Sequence, residues 1–285
     1  LFDASLNVAP LTIEAMGMGL YTDLRNPADV SFGLSGLGLS VSRPPVDISG
    51  SFMRSRQEGR EVYAGSLLIR AAGFSAFALG QYSEGAFMAY ACVSTPLGGP
   101  PAFRVTGLAL GFGYNENLAL PDIEAVPVYP LILGAKGEIG QGALPAKLAE
   151  YITPLEGQNF LAAGVHFTSF EIADSFALVT VAFGKKLQVG LLGLSDITMP
   201  PNCSDTPIAH AQLALRASFT PDEGLFTARA QLTSESYILS KSCKLTGGFA
   251  FCLWFGQEHR GDFVITLGGY HPRYKKPAHY PDVPR

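Results

Sequence analysis

The chain has 285 residues, 47% of them hydrophobic and only 15% charged, with a mean hydropathy of +0.22. That length holds one large domain or two intimately joined ones, and the apolar content excludes a disordered chain. A net charge of −4 and a pI near 5.7 exclude a nucleic-acid binder, which needs a basic patch; the cluster Arg273, Lys275 and Lys276 is too small to supply one.

Leu1 stands where an initiator methionine would, so the chain reads as a processed product or an excised fragment, with no visible signal peptide or lipidation motif. Residues 46–52 (V-D-I-S-G-S-F) alternate apolar with small or polar side chains, the period of a strand with one buried face. R-Q-E-G at 56–59 predicts a hairpin turn into a second strand at 62–69. Residues 86–93 are apolar on both faces. The uncharged stretch 85–103 is broken by Pro96, Gly98, Gly99, Pro100 and Pro101, which excludes a membrane-spanning helix. A membrane β-barrel suits strands of about ten residues, but the turns lack an up-and-down rhythm and a long insert interrupts them. That insert, 115–157, is richer in Pro and Gly and predicts one short helix over 144–152 (L-P-A-K-L-A-E-Y-I). Pro145 suits its first turn, and Leu144, Leu148, Tyr151 and Ile152 share a face. Residues 176–183 and 249–255 are again apolar on both faces, and 212–219 (Q-L-A-L-R-A-S-F) alternates. T-P-D-E-G at 220–224 predicts the turn joining 213–219 to 225–232. The fold class that follows is all-β and mainly antiparallel, with the doubly apolar strands covered on both sides.

An internal repeat is also legible. Leu37-Gly38-Leu39-Ser40 before Pro44-Pro45 matches Leu192-Gly193-Leu194-Ser195 before Pro200-Pro201. Each is followed by an alternating strand, a Glu-Gly turn (Glu58-Gly59 and Glu223-Gly224) and another strand. Gly73-Phe74-Ser75-Ala76-Phe77-Ala78-Leu79 then matches Gly248-Phe249-Ala250-Phe251-Cys252-Leu253. Upstream, Ile13-Glu14 corresponds to Phe170-Glu171. The expected organisation is a β-meander at 1–115, the insert at 116–159, and a second meander at 160–285. The two meanders would pack as a sandwich or an open barrel-like array.

Chemistry is sparsely signalled. The four cysteines (Cys92, Cys203, Cys243, Cys252) lack C-x-x-C spacing, so no zinc or redox motif is seen. Cys92 and Cys252 read as buried thiols, and Cys203 and Cys243 are in turn-like surroundings where they could pair. The five histidines form no H-E-x-x-H or close ligand pair, so no metal site or cofactor is assigned. His166 reads as a core histidine, and His210 and His259 as facing water. There is no G-x-S-x-G elbow, and the acids Glu171, Asp174, Asp196 and Asp262 are scattered, so no catalytic residue is named. The densest segment is 268–285 (G-G-Y-H-P-R-Y-K-K-P-A-H-Y-P-D-V-P-R), where prolines fix an extended path. It reads first as a strap over a sheet edge or over the end of the hydrophobic core. Its rings are also the candidate ligand-binding residues: Tyr270, His271, Tyr274, His279 and Tyr280, with Trp254 beside them.

G-D-F-V-I-T-L-G-G-Y-H-P-R-Y with P-A-H-Y-P-D-V-P-R resembles the hallmark of a large uncharacterised domain family of bacteria and fungi. Residues 107–115 (G-L-A-L-G-F-G-Y-N), 167–176 (F-T-S-F-E-I-A-D-S-F) and 245–255 (L-T-G-G-F-A-F-C-L-W-F) resemble further hallmarks of it. The resemblance implies no activity, and no catalytic residue transfers. The expected function is a non-enzymatic binding module, for an apolar molecule in a hydrophobic cavity or for a carbohydrate on a lectin-like aromatic surface. The alternatives are a structural module that self-associates as part of a longer array, and a hydrolase assembled between the halves from His271, His279 and Asp262.

Overall fold

The computed structural model describes residues 2–23, 26–57, 60–137, 144–201 and 207–284. Nine strands come first: β1 (Phe2–Val8), β2 (Leu11–Asp23), β3 (Asn26–Gly33), β4 (Gly36–Arg43), β5 (Val46–Gln57), β6 (Arg60–Ala71), β7 (Phe74–Ser83), β8 (Ala86–Gly98) and β9 (Arg104–Leu118). A 3-10 helix (Ile123–Val128) and two α-helices, α1 (Pro130–Lys136) and α2 (Leu144–Tyr151), follow. Then come β10 (Ile152–Ser169), β11 (Ala173–Phe183), β12 (Gln188–Met199), β13 (Ala209–Thr220), β14 (Leu225–Leu232), β15 (Tyr237–Ile238), β16 (Ser240–Lys244), β17 (Gly248–Trp254) and β18 (Phe263–Leu267).

These strands make one open antiparallel meander. Neighbours pair in the order β1, β2, β4 to β14, β17, β18. β3 folds back on the far end of β2, and β15 and β16 cap one end of β13. Among the described residues β1 pairs only with β2, and β18 only with β17, so the sheet does not close.

The core lies on one face. In β8 and β9 alternate side chains turn inward: Met88, Tyr90, Cys92 and Ala109 are buried while Phe87, Val93, Leu108 and Leu110 are exposed. The inward set packs with Phe77, Phe160, Leu178 and Leu192 against Ile123, Val126, Tyr129, Leu131, Ile132 and Leu148 of the helical insert. α1 starts on Pro130 and ends at Gly137, whose φ of 69° is the left-handed cap glycine favours. It sits very close to the sheet. Tyr90 donates its hydroxyl to the Leu131 carbonyl (2.9 Å), and Cys92 its thiol to the Gly134 carbonyl (3.4 Å). A Cβ at Gly134 would stand 2.3 Å from the Phe77 ring, so only glycine permits this approach.

Several expectations change. The two halves do not stack as a sandwich or a barrel-like array; they join edge to edge, because β9 and β10 pair along most of their length. Alternation marks a strand but not its partner, and pairing the two inner edges satisfies backbone groups that a sandwich would leave bare. This continuity does not by itself establish the internal repeat. The insert holds three short helical pieces, not one: α2 matches the expected helix, while P-L-I-L-G-A-K of α1 is too short and apolar to distinguish from a buried strand. The strands apolar on both faces are covered on one side only, since Phe87, Val93, Val179, Phe183, Leu253 and Phe255 are exposed. The turns at 220–224 and between β5 and β6 lie where expected, although Glu58 and Gly59 fall outside the described residues. Cys203 does as well, while Cys92 and Cys252 are buried thiols.

Candidate functional site

The face opposite the helices is built from apolar positions in register. Cross-strand partners share a face of a sheet, so a row of partners is a continuous line across it. One row runs Leu6, Ile13, Leu39, Gly50, Leu67, Ala78, Ala91 and Leu110 across the first half. It continues through Ala163, Val179, Leu191, Ala217, Ala228, Phe251 and Ile265 in the second. No member carries a polar side chain. At about 4.8 Å between strands the line follows roughly 65 Å of sheet. Leu110 is 68% exposed, Leu161 54% and Ile265 65%, so this is a surface, not a second core. Where alanines 78, 91 and 163 meet at β7 to β10, the face sinks into a groove of about 690 Å³ bounded by Leu110, Phe112, Leu161 and Val179. A groove this size suits a small ligand, and apolar patches of this extent mark binding surfaces.

The strap at 268–284 covers part of the other face, beside the helices. Lys276 donates to the Tyr280 carbonyl (3.0 Å) and pairs with Asp282 (2.6 Å), while Arg229 of β14 donates to the Asp282 carbonyl (2.8 Å). Val283 and Pro284 lie over Gly248, where a Cβ would come to 2.9 Å from Val283 and 3.0 Å from Pro284. The candidate residues separate into two groups. Trp254 stacks on Tyr280 with centroids 5.5 Å apart, and the His279 ring meets both edge-on. Tyr270 stacks on Tyr274 at 5.8 Å, with its hydroxyl buried and unpartnered. Burial pushes the Tyr270 and Tyr280 hydroxyls above the usual tyrosine range. His271 stands apart and accepts a hydrogen bond from the Arg273 amide (3.2 Å). Of the three hydrolase candidates, Asp262 and His279 come together and His271 does not.

Polar groups elsewhere are tied into the scaffold. Asp174 and Asp196 are cross-strand partners on β11 and β12. Lys136 of α1 pairs with Asp196, which also accepts from Gln212 (2.8 Å) and lies 3.6 Å from His210. His166 reaches Asp174 at 2.8 Å; burial opposes ionisation of Asp174, but this bond and the charge of Lys136 hold its carboxyl below the usual range. His166 is thus a largely buried, bonded histidine as expected, while His210 is turned inward and not toward water. Burial pushes the Cys92 thiol up to about 12, which removes it as a nucleophile at neutral pH.

The sequence reading missed the groove because it expected the second apolar face of these strands to be covered by the other half. The signal was present in the doubly apolar strands 86–93 and 176–183. It also set His259 aside, although the structure stacks its ring on His279 at 3.9 Å.

The family model that matches is described as a family of unknown function (DUF6603), and it spans residues 1–285. The chain belongs to this family. The hallmark segments thus point to the right group, and membership in DUF6603 brings no activity with it. Comparisons with curated proteins and with solved structures return no match.

Proposed function

We propose that this domain binds an elongated apolar molecule, such as an acyl chain, on the uncovered face of its sheet and catalyses no reaction. The observation that carries the reading is the wholly apolar register row, with the 690 Å³ groove at its middle. A chain lying across the strands meets methyl and methylene groups along its whole length, at about 0.8 kcal/mol per buried CH2. The groove needs no rearrangement to receive it, so little ordering cost offsets that gain. A sugar on the Tyr270–Tyr274 pair is less favoured, because those rings already stack on one another.

Delipidated protein titrated with a fluorescent long-chain fatty acid should bind it saturably. Leu110→Glu and Ala163→Glu, both on the exposed face, should weaken binding by about tenfold or more with unchanged circular dichroism. No saturable binding, or binding indifferent to both variants, would sink the reading.

A second reading, a structural module that self-associates, draws on a different observation. The outer strands β1 and β18 are each paired on one side only among the described residues. The sequence repeat does not add to this reading, since Leu37 and Leu39 of β4 lie on the bare face while their counterparts Leu192 and Leu194 of β12 are buried in the core.

A further inference from the structure

A set of side chains away from the apolar face converges on one point. His259 and Asp262 lie in the turn joining β17 to β18, and His279 comes from the strap. The turn is held locally: the Asp262 amide donates to the His259 carbonyl (3.0 Å), and the Gly261 amide to the Trp254 carbonyl (2.9 Å). Asp262 Oδ2 lies 3.4 Å from His279 Nε2 and 3.8 Å from His259 Nδ1. One donor atom from each residue lies within 4.8 Å of the other two, which holds for no other group of three or more His, Cys, Asp or Glu among the described residues. His279 Nε2 is buried with no hydrogen-bond partner, an uncommon state for a buried polar atom.

We propose that His259, Asp262 and His279 form a binding site for a borderline divalent metal ion, Zn²⁺ foremost, which pins the strap to the β17–β18 turn. Two imidazoles and one carboxylate suit such ions and leave a fourth position for water. Donors on one tetrahedral zinc ion, each about 2.1 Å from it, stand roughly 3.4 Å apart. The Asp262–His279 separation already matches, and the Asp262–His259 separation needs to close by only a few tenths of an ångström. The two imidazoles lie nearly parallel, at 8°. An ion sits in the plane of each ring it binds, so loading turns the His259 ring out of the stack. That side chain is 40% exposed on its turn and has room to rotate. Trp254 and Tyr280 wall the site on the strap side, and an apolar wall shields a bound ion from solvent.

The test uses the full chain stripped of metal by chelation. Titration with Co²⁺ should give the visible d–d absorption of a nitrogen- and oxygen-bound ion at one equivalent, and Zn²⁺ should displace it. Zn²⁺ should also raise Tm, reversibly with chelator, and slow amide exchange across 268–284. His279→Ala, His259→Ala and Asp262→Asn should each weaken binding by about tenfold or more, while His271→Ala should leave it unchanged. Should His279→Ala fail to fold for want of its ring packing on Trp254, the near-isosteric Asp262→Asn carries the test. No Co²⁺ spectrum, a cobalt–thiolate band placing the ion on cysteine, or undiminished binding in Asp262→Asn and His259→Ala overturns the proposal.

Discussion

Glu116 shows how one residue ties stability to pH. It is fully buried at the end of β9, and burial pushes its carboxyl from 4.5 up to about 7, with the Gln81 hydrogen bond opposing the shift. One of its oxygens has no partner, and neither have Gln81 Oε1 and Ser83 Oγ. The folded state therefore holds the Glu116 proton more tightly than the unfolded chain does. Its contribution to stability is full below pH 4.5 and is lost as pH rises to about 7. The loss is about 3 kcal/mol. Urea unfolding at pH 5 and pH 8 should show that Glu116→Gln removes this part of the decline and gains most at pH 8. Identical pH slopes for wild type and variant would refute it. Glu116 stands at the edge of the 115–157 insert, and no local pattern there marks it as buried; its burial comes from packing at the β9–β10 pair and near the end of α2.

At the scale of elements, α1 is held by close approach. Glycine inside a helix costs about 1 kcal/mol relative to alanine, so propensity alone favours Gly134→Ala. Sterics oppose it, since the added methyl would fall 2.3 Å from the Phe77 ring. Overpacking of a core costs about 1–3 kcal/mol, so Gly134→Ala should lower Tm; a higher Tm would show that α1 can shift outward freely. The charge of Lys136 makes a second anchor. Lys136→Met should leave the cross-strand carboxylates Asp174 and Asp196 facing each other without their cation. Destabilisation should then be relieved in part by adding Asp196→Asn, and a double variant no more stable than Lys136→Met alone would rule this role out. Turns such as 220–224 and the helix α2 were legible because turn chemistry and a helical face are local. α1 was not, because its seven residues show too few turns to reveal a period.

At the scale of the whole molecule, the described residues form a sheet with one covered face, one bare face and two open edges. Exposed apolar edges are templates for pairing with another chain. β18 presents Phe263, Ile265 and Leu267 outward, the last 83% exposed. On the reading of a self-associating module, sedimentation should therefore depend on concentration, and Ile265→Lys should shift it toward monomer, while leaving His259, Asp262 and His279 intact. A wild-type chain that stays monomeric at every concentration would dismiss self-association and leave the bare face to a small apolar ligand.

The sequence by itself determined what depends on neighbours along the chain: strand periods, turn positions, α2, the strap and the family hallmark. Tertiary structure alone decided that β9 and β10 join the halves edge to edge, that the helices and strap cover only one face, and that His259 meets Asp262 and His279. The reason is physical. Alternation records that a side chain faces an apolar surface, but the same letters serve whether that surface is protein or ligand. Donor atoms from a turn and a distant strap become a site only when packing brings them within a few ångströms.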